Sequence, residues 1–350
     1  MGNPNSEATR IYGARIINRH LQAMRAEVEG VRQGEDIEYI HRMRVASRRM
    51  RTALNLFKGV FPRQDVKNLL KEIRNITQAL GTVRDLDVQL AVLSKESEKY
   101  NAPRLIPGFR RLRLRLEQQR ADGQHQVEAV MDQLVRHETL NALEALIQPF
   151  LEEGADVYLF SPALYALAFK GVHSRLNGLW EHEPYIHDEN NIAELHKMRI
   201  AAKHHRYTLE TFEGLYGPQT KPFIAQSRDL QDMLGAIHDN DVWNLLIPQF
   251  MAEERERILV YFGHDRPIRR LLPGLEAFRA DRMKIRSEQY QSFLESWDQL
   301  TANGVWGKLE ELISTPLDLE AALHVVRLQN TEPAVQPEGE PDGQNKKAKK

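Results

Sequence analysis

The stretch His41-Arg-Met-Arg-Val-Ala-Ser-Arg-Arg-Met-Arg51 returns later in the chain as His196-Lys-Met-Arg-Ile-Ala-Ala-Lys-His-His-Arg206, and this recurrence decides the fold. Extended to Phe61 and Tyr216, the two windows of twenty-one residues keep eight identities in register. At 100° per residue, His41, Arg44, Arg48 and Arg51 fall within an arc of about 80°, while Met43, Ala46, Met50 and Phe57 collect on the opposite side. That period is helical: one face carries charge and the other packs. His196, Arg199, Lys203 and Arg206 repeat the cationic face.

The repeat continues outward from these windows. Lys67, Arg74, Leu80, Gly81, Asp85 and Asp87 match Lys221, Arg228, Leu234, Gly235, Asp239 and Asp241. Pro107-Gly108 before the run from Arg110 to Arg115 answers Pro273-Gly274 before Arg279 to Arg286, and Tyr12 and His20 have looser counterparts in Tyr165 and His173. Long Leu, Ala, Glu, Arg and Gln runs separated by Gly or Pro, with no period-two segment, predict an all-α chain. Breaks are expected near Gly34, 59–62, Gly81, 103–108, Gly154, Pro162, 184–191, 217–222, Gly235, 267–274 and Gly304. Residues 1–155 and 156–327 then form two helical repeats, naturally arranged as two bundles about a pseudo-two-fold axis. Residues 328–350, rich in Pro, Glu, Gly and Lys, are expected to form a disordered tail.

Composition sets the outer bounds. With 350 residues and 41% hydrophobic content, the chain can bury a core. It has no cysteine, so disulfides and thiolate metal sites are excluded. The absence of a long apolar run or signal-like N-terminus predicts a cytoplasmic protein with no membrane partner. A net charge of -1 argues against a polyanion ligand if taken alone, but the charge is unevenly placed. From His41 to Gln64 there are seven Arg or Lys and no acid, with further basic islands at 104–120 and 266–286. Like charges spaced i, i+3 and i+4 repel, and solvated helix faces usually relieve this with interleaved Glu. Retention of the unrelieved stripe in both copies points to an external anion, which Arg suits through its two-pronged hydrogen bonding to phosphate.

Several local readings follow. Lys67, Lys71 and Arg74 share a face by spacing, and Lys221 with Arg228 keeps part of it. His41 and His196 fit as phosphate donors better than as metal ligands or catalytic bases, since the flanking arginines repel a cation and no ligand stands at i+3 or i+4. The Asp pairs, four and six residues after a glycine, read as acids at helix N-termini that complement the dipole and orient neighbouring basic side chains. His238-Asp239 is superficially like the His-Asp pair of metal-dependent phosphohydrolases, but its counterpart is Arg84-Asp85, and arginine does not ligate a metal.

The two His-Arg helices and the paired Leu-Gly-x-x-Arg/His-Asp-x-Asp segments resemble the CHAD family, the conserved histidine α-helical domain, over about residues 7–325. The resemblance implies two four-helix bundles around a central basic channel that binds inorganic polyphosphate, in some members at polyphosphate granules. It places His41, Arg44, Arg48, Arg51, Lys67, Lys71, Arg74, His196, Arg199, Lys203, Arg206, Lys221 and Arg228 along the channel, with Arg111, Arg115, Arg282 and Arg286 as weaker candidates. Ala225 replaces Lys71 and His238 replaces Arg84, which predicts a weaker second half. No strand of the alternating Glu-x-Glu-x-Lys type of a CYTH triphosphatase is present, so a stand-alone domain that binds without catalysis or cofactor is expected. The rival readings are a single-stranded nucleic-acid binder, a phosphohydrolase using His238, Asp239 and Asp241, and a helical scaffold for an acidic protein partner.

Overall fold

The computed structural model describes residues 4–34, 36–151 and 161–314, and among these every regular element is a helix. The α-helices are α1 (Pro4–Gln33), α2 (Ile37–Phe57), α3 (Arg63–Glu96), α4 (Ile106–Arg136), α5 (Thr139–Ile147), α6 (Pro162–Trp180), α7 (Ile192–Tyr216), α8 (Lys221–Phe262), α9 (Leu272–Ala302) and α10 (Val305–Ser314). Local chemistry explains several of their ends. The Asp36 carboxylate accepts the Glu38 N–H at 2.8 Å and starts α2. Ser161 caps α6 at Leu164 N–H, with Pro162 in the first turn where its missing donor costs nothing.

Most of the expected breaks coincide with helix ends, but two do not. Gly81 and Gly235 lie inside α3 and α8, so Asp85, Asp87, Asp239 and Asp241 sit in mid-helix and cap nothing. Glycine in a helix interior costs about 1 kcal/mol relative to alanine. The buried flanking residues Leu80, Val83, Leu234 and Ile237 outweigh that cost. Conversely, α4 ends at a turn without glycine or proline, where Glu138 takes a left-handed backbone with φ 47°. The expected break at Gly154 and the tail at 328–350 lie outside the described residues.

Helices α1 to α5 pack on one another, as do α6 to α10, and the two groups meet through α1 with α6, α2 with α7, and α4 with α9. One hydrophobic core runs through both groups. At its centre Tyr12, Phe57 and Phe212 place ring centroids 5.9–6.1 Å apart, and the Tyr12 hydroxyl donates to the Thr211 carbonyl at 2.7 Å. A smaller core gathers Leu93, Tyr100, Phe109 and Leu112 from the first group with Trp243, Ile247, Leu275 and Phe278 from the second.

The α4–α9 contact is reciprocal. A methyl group at Gly108 would lie 2.0 Å from the Leu271 carbonyl oxygen, and one at Gly274 would lie 2.1 Å from that of Leu105. Each helix start therefore needs the other's glycine, because any side chain would strike backbone.

Candidate anion-binding site

Packing α2 against α7 turns the two cationic faces toward one place. The Lys203 ammonium is pushed down to about 7, first by burial and then by Arg48, Arg199, Arg44 and Arg51. Arg48 is lowered to about 10 by burial and by Arg44, Arg199 and Arg206, with the Tyr207 ring acting the other way. Residues 155 positions apart in the chain thus form a single cluster, and each disfavours its neighbours' charge. Arg51 is likewise lowered by burial and by Arg74, which links the α2 stripe to α3.

Acids relieve part of the stripe, Asp85 from the neighbouring α3 and Glu210 from one turn further along α7 itself. Arg44 lies 3.4 Å from Asp85, and Arg206 lies 3.4 Å from Glu210. Arg49, outside the stripe, reaches Glu210 at 2.8 Å and ties α2 to α7. Burial raises the Asp239 carboxyl, while Arg199 draws it down. Among the described residues, Arg48, Arg51 and Lys203 have no carboxylate within salt-bridge distance. The mid-helix glycines serve this arrangement: the Gly81 Cα faces the Arg44 Nε, and the Gly235 Cα faces that of Arg199, leaving 3.6 and 3.9 Å from a hypothetical Cβ.

Each Asp pair divides its work. Asp85 and Asp239 face Arg44 and Arg199. Asp87 and Asp241, both buried, instead hold arginines of the next helix: Arg120 on Asp87 at 2.6 Å and Arg286 on Asp241 at 2.5 Å. Arg286 also reaches Glu189 at 2.9 Å. Arg282 pairs with Glu96 at 2.5 Å, and Arg111 and Arg115 share the fully buried Glu254 at 2.6 and 2.8 Å. The four weaker candidates therefore pair with carboxylates that brace α3, α4, α8 and α9. Arg120, the structural counterpart of Arg286, is not among the sequence candidates, and its pairing with Asp87 emerges only in the fold.

The histidines opening the stripes sit at its edge. His196 places Nδ1 3.1 Å from His238 Nδ1, while His41 is depressed by burial first and then by Arg84, the residue matching His238. Burial and Arg199 similarly lower His196, and burial and Arg199 hold His238 near 4. Burial and the neighbouring cations thus favour the neutral imidazole at all three. No group of three or more His, Cys, Asp or Glu among the described residues is placed to hold a metal ion.

Lys67, Lys71 and Arg74 are exposed on α3. Lys221 and Arg228 line a cleft of about 440 Å³ together with Arg19, His20, Arg49 and Tyr207, and with the acids Glu210 and Glu213. Arg19 and Arg49 were missed as neighbours of the stripe. Arg49 lies about 80° outside the stripe arc in helical projection, and Arg19 belongs to a different helix. Tyr207 is 4% exposed beneath the guanidiniums of Arg48, Arg49 and Arg206, at 5.2–5.8 Å from its ring centroid.

Comparison with known proteins matches this architecture. No curated protein sequence matches the chain at a significant level. Among solved structures, the crystal structure of the CHAD domain from the plant Ricinus communis aligns with a TM-score of 0.54 at 25% identity, covering 81% of this chain and 91% of that one. PptA from Streptomyces chartreusis aligns with a TM-score of 0.53 at 15% identity, covering 85% of this chain and 100% of its own. The family model described as CHAD domain matches residues 15–248, which include both His-Arg helices and both paired-aspartate segments, and the chain therefore belongs to the CHAD family.

Proposed function

We propose that the protein binds inorganic polyphosphate without turning it over, in a channel formed where two copies of one helical unit meet about a pseudo-two-fold axis. The observation that carries this reading is the convergence of Arg48 and Lys203 amid Arg44, Arg51, Arg199 and Arg206, with no carboxylate on Arg48, Arg51 or Lys203 among the described residues. Crowding half-buried cations costs stability. A polymer carrying one negative charge per repeating unit offsets that cost along the whole stripe, and guanidiniums hold its oxygens in pairs. The matched pairs Arg120–Asp87 and Arg286–Asp241, and the reciprocal glycines Gly108 and Gly274, support the duplicated arrangement.

The nucleic-acid reading loses support because Tyr207, the aromatic ring among these cations, is covered by them and has no free face for base stacking. The phosphohydrolase reading loses support because Asp239 and Asp241 serve different arginines and His238 faces His196.

The test is titration of the purified chain with long-chain polyphosphate beside the double variant Arg48→Ala, Lys203→Ala. Each charge-assisted contact is worth about 1.5–3 kcal/mol, so affinity should fall on the order of 10²-fold or more. The variant should melt no lower than the parent, because it sheds like-charge repulsion. Unchanged affinity would sink the proposal.

A further inference from the structure

The two halves differ at the far end of α8. The offset between matching residues is 154 from Asp87 to Asp241 and 166 from Gly108 to Gly274, so the second half carries twelve additional residues in between. They lengthen the helix: α3 spans 34 residues and stops at Glu96, whereas α8 spans 42 and runs to Phe262. Twelve helical residues extend a chain by roughly 18 Å. In the first half, Tyr100, just beyond the end of α3, is buried in the smaller core. The end of α8 instead stands in solvent, with Leu259 50%, Val260 83%, Tyr261 81% and Phe262 54% exposed.

Four consecutive apolar residues on a helix point in four directions spaced by 100°, so this tip is apolar all round. It is also held in shape. The Gly263 N–H donates to the Leu259 carbonyl at 2.9 Å, Arg255 reaches Asp265 across the turn at 2.7 Å, and the Tyr261 and Phe262 rings meet edge to face at 4.7 Å. Just after it in the chain, Arg266, Arg269 and Arg270 are exposed and have no ion pair among the described residues, against one similarly unpaired acid between positions 255 and 270, Glu256.

We infer that the end of α8 is a membrane-surface anchor, which seats Leu259, Val260, Tyr261 and Phe262 among lipid headgroups and acyl chains while Arg266, Arg269 and Arg270 meet anionic lipid. Shape favours a bilayer over a protein partner. A protein would need a socket enclosing the tip from every side, whereas a fluid interface closes around it, and Tyr beside Phe with arginines behind suits the headgroup boundary. The lack of a helix long and apolar enough to span a membrane among the described residues concerns spanning only and leaves peripheral attachment open.

Flotation of the full chain with vesicles of phosphatidylcholine mixed with phosphatidylglycerol tests this. The protein should rise with these vesicles and stay behind with pure phosphatidylcholine. Tyr261→Ser with Phe262→Ser should lower vesicle partitioning by about ten-fold or more, and reversal of the three arginines to Glu should also lower it, both without a change in melting temperature. Arg48→Ala with Lys203→Ala should float as the parent does, which separates the tip from the proposed polyphosphate channel. The inference is overturned if the parent does not float, if the serine variant floats equally well, or if the serine changes abolish a concentration-dependent dimer instead, which would make a second copy the occupant.

Discussion

Burial and the surrounding guanidiniums bring Lys203 down to about 7, from an ordinary value of 10.5. A lysine depressed in the fold binds fewer protons there than in the unfolded chain. Its contribution to stability therefore rises with pH from about 7 to 10.5, as the fold sheds a proton that the unfolded chain still holds. Anion binding runs the opposite way. A phosphate beside the ammonium restores its charge, so affinity should be highest below about 7 and fall as pH rises above it, with proton uptake on binding. Lys203→Arg keeps the charge throughout and should flatten the profile between pH 7 and 9, as measured by calorimetric titration in buffers of different ionisation enthalpy. His41 and His196, both lowered, add their protons only below the ordinary histidine range. In the proposed reading, the lysine therefore sets the pH dependence of binding around neutrality, and the histidines add to it at lower pH.

Two kinds of glycine separate at the element scale. Gly108 and Gly274 start α4 and α9 in backbone contact, with 2.0 and 2.1 Å left for a methyl. Alanine at either position must push two helices apart, and Gly108→Ala should lower stability by about 2–3 kcal/mol in urea denaturation. Gly81 and Gly235 leave 3.6 and 3.9 Å under Arg44 and Arg199, enough for a methyl. Gly81→Ala should therefore raise stability by about 0.5–1 kcal/mol through helix propensity, with polyphosphate affinity unaltered. Gly81→Leu has no such room and should weaken binding several-fold by displacing Arg44. Loss of affinity in the alanine variant would show that glycine serves something other than space.

For the whole molecule, the proposed reading has cations from α2, α7, α3 and α8 act on one ligand together. Polyphosphate binding should release condensed counterions, so the logarithm of affinity should fall linearly with that of salt concentration. Chains long enough to engage both halves should bind tighter per phosphate than short ones. Graded-length titrations that show equal affinity for short and long chains would point to isolated patches. The net charge of -1 does not oppose this, because acids such as Glu254, Glu96 and Asp241 are consumed in braces that hold the helices together and leave the stripe's field local.

Sequence by itself determined the helical class, the repeat and the two cationic stripes, since 3.6-residue periodicity, registered recurrence and charge spacing are local properties of the chain. It misread Gly81 and Gly235 as breaks and so placed the aspartates at helix N-termini, because propensity yields to burial of the flanking leucines, but it read correctly that the aspartates orient basic side chains. That Arg111, Arg115, Arg282 and Arg286, the weaker candidates, are held by carboxylates was not legible in it, since nothing local tells a guanidinium held by a distant carboxylate from a free one. Only the tertiary structure decided that the stripes converge on Arg48 and Lys203, that Asp85 and Asp87 part toward different helices, and that the added length of α8 ends in an exposed apolar tip. These depend on which helices cross and at what depth, and burial and through-space charge are set by neighbours remote in the chain.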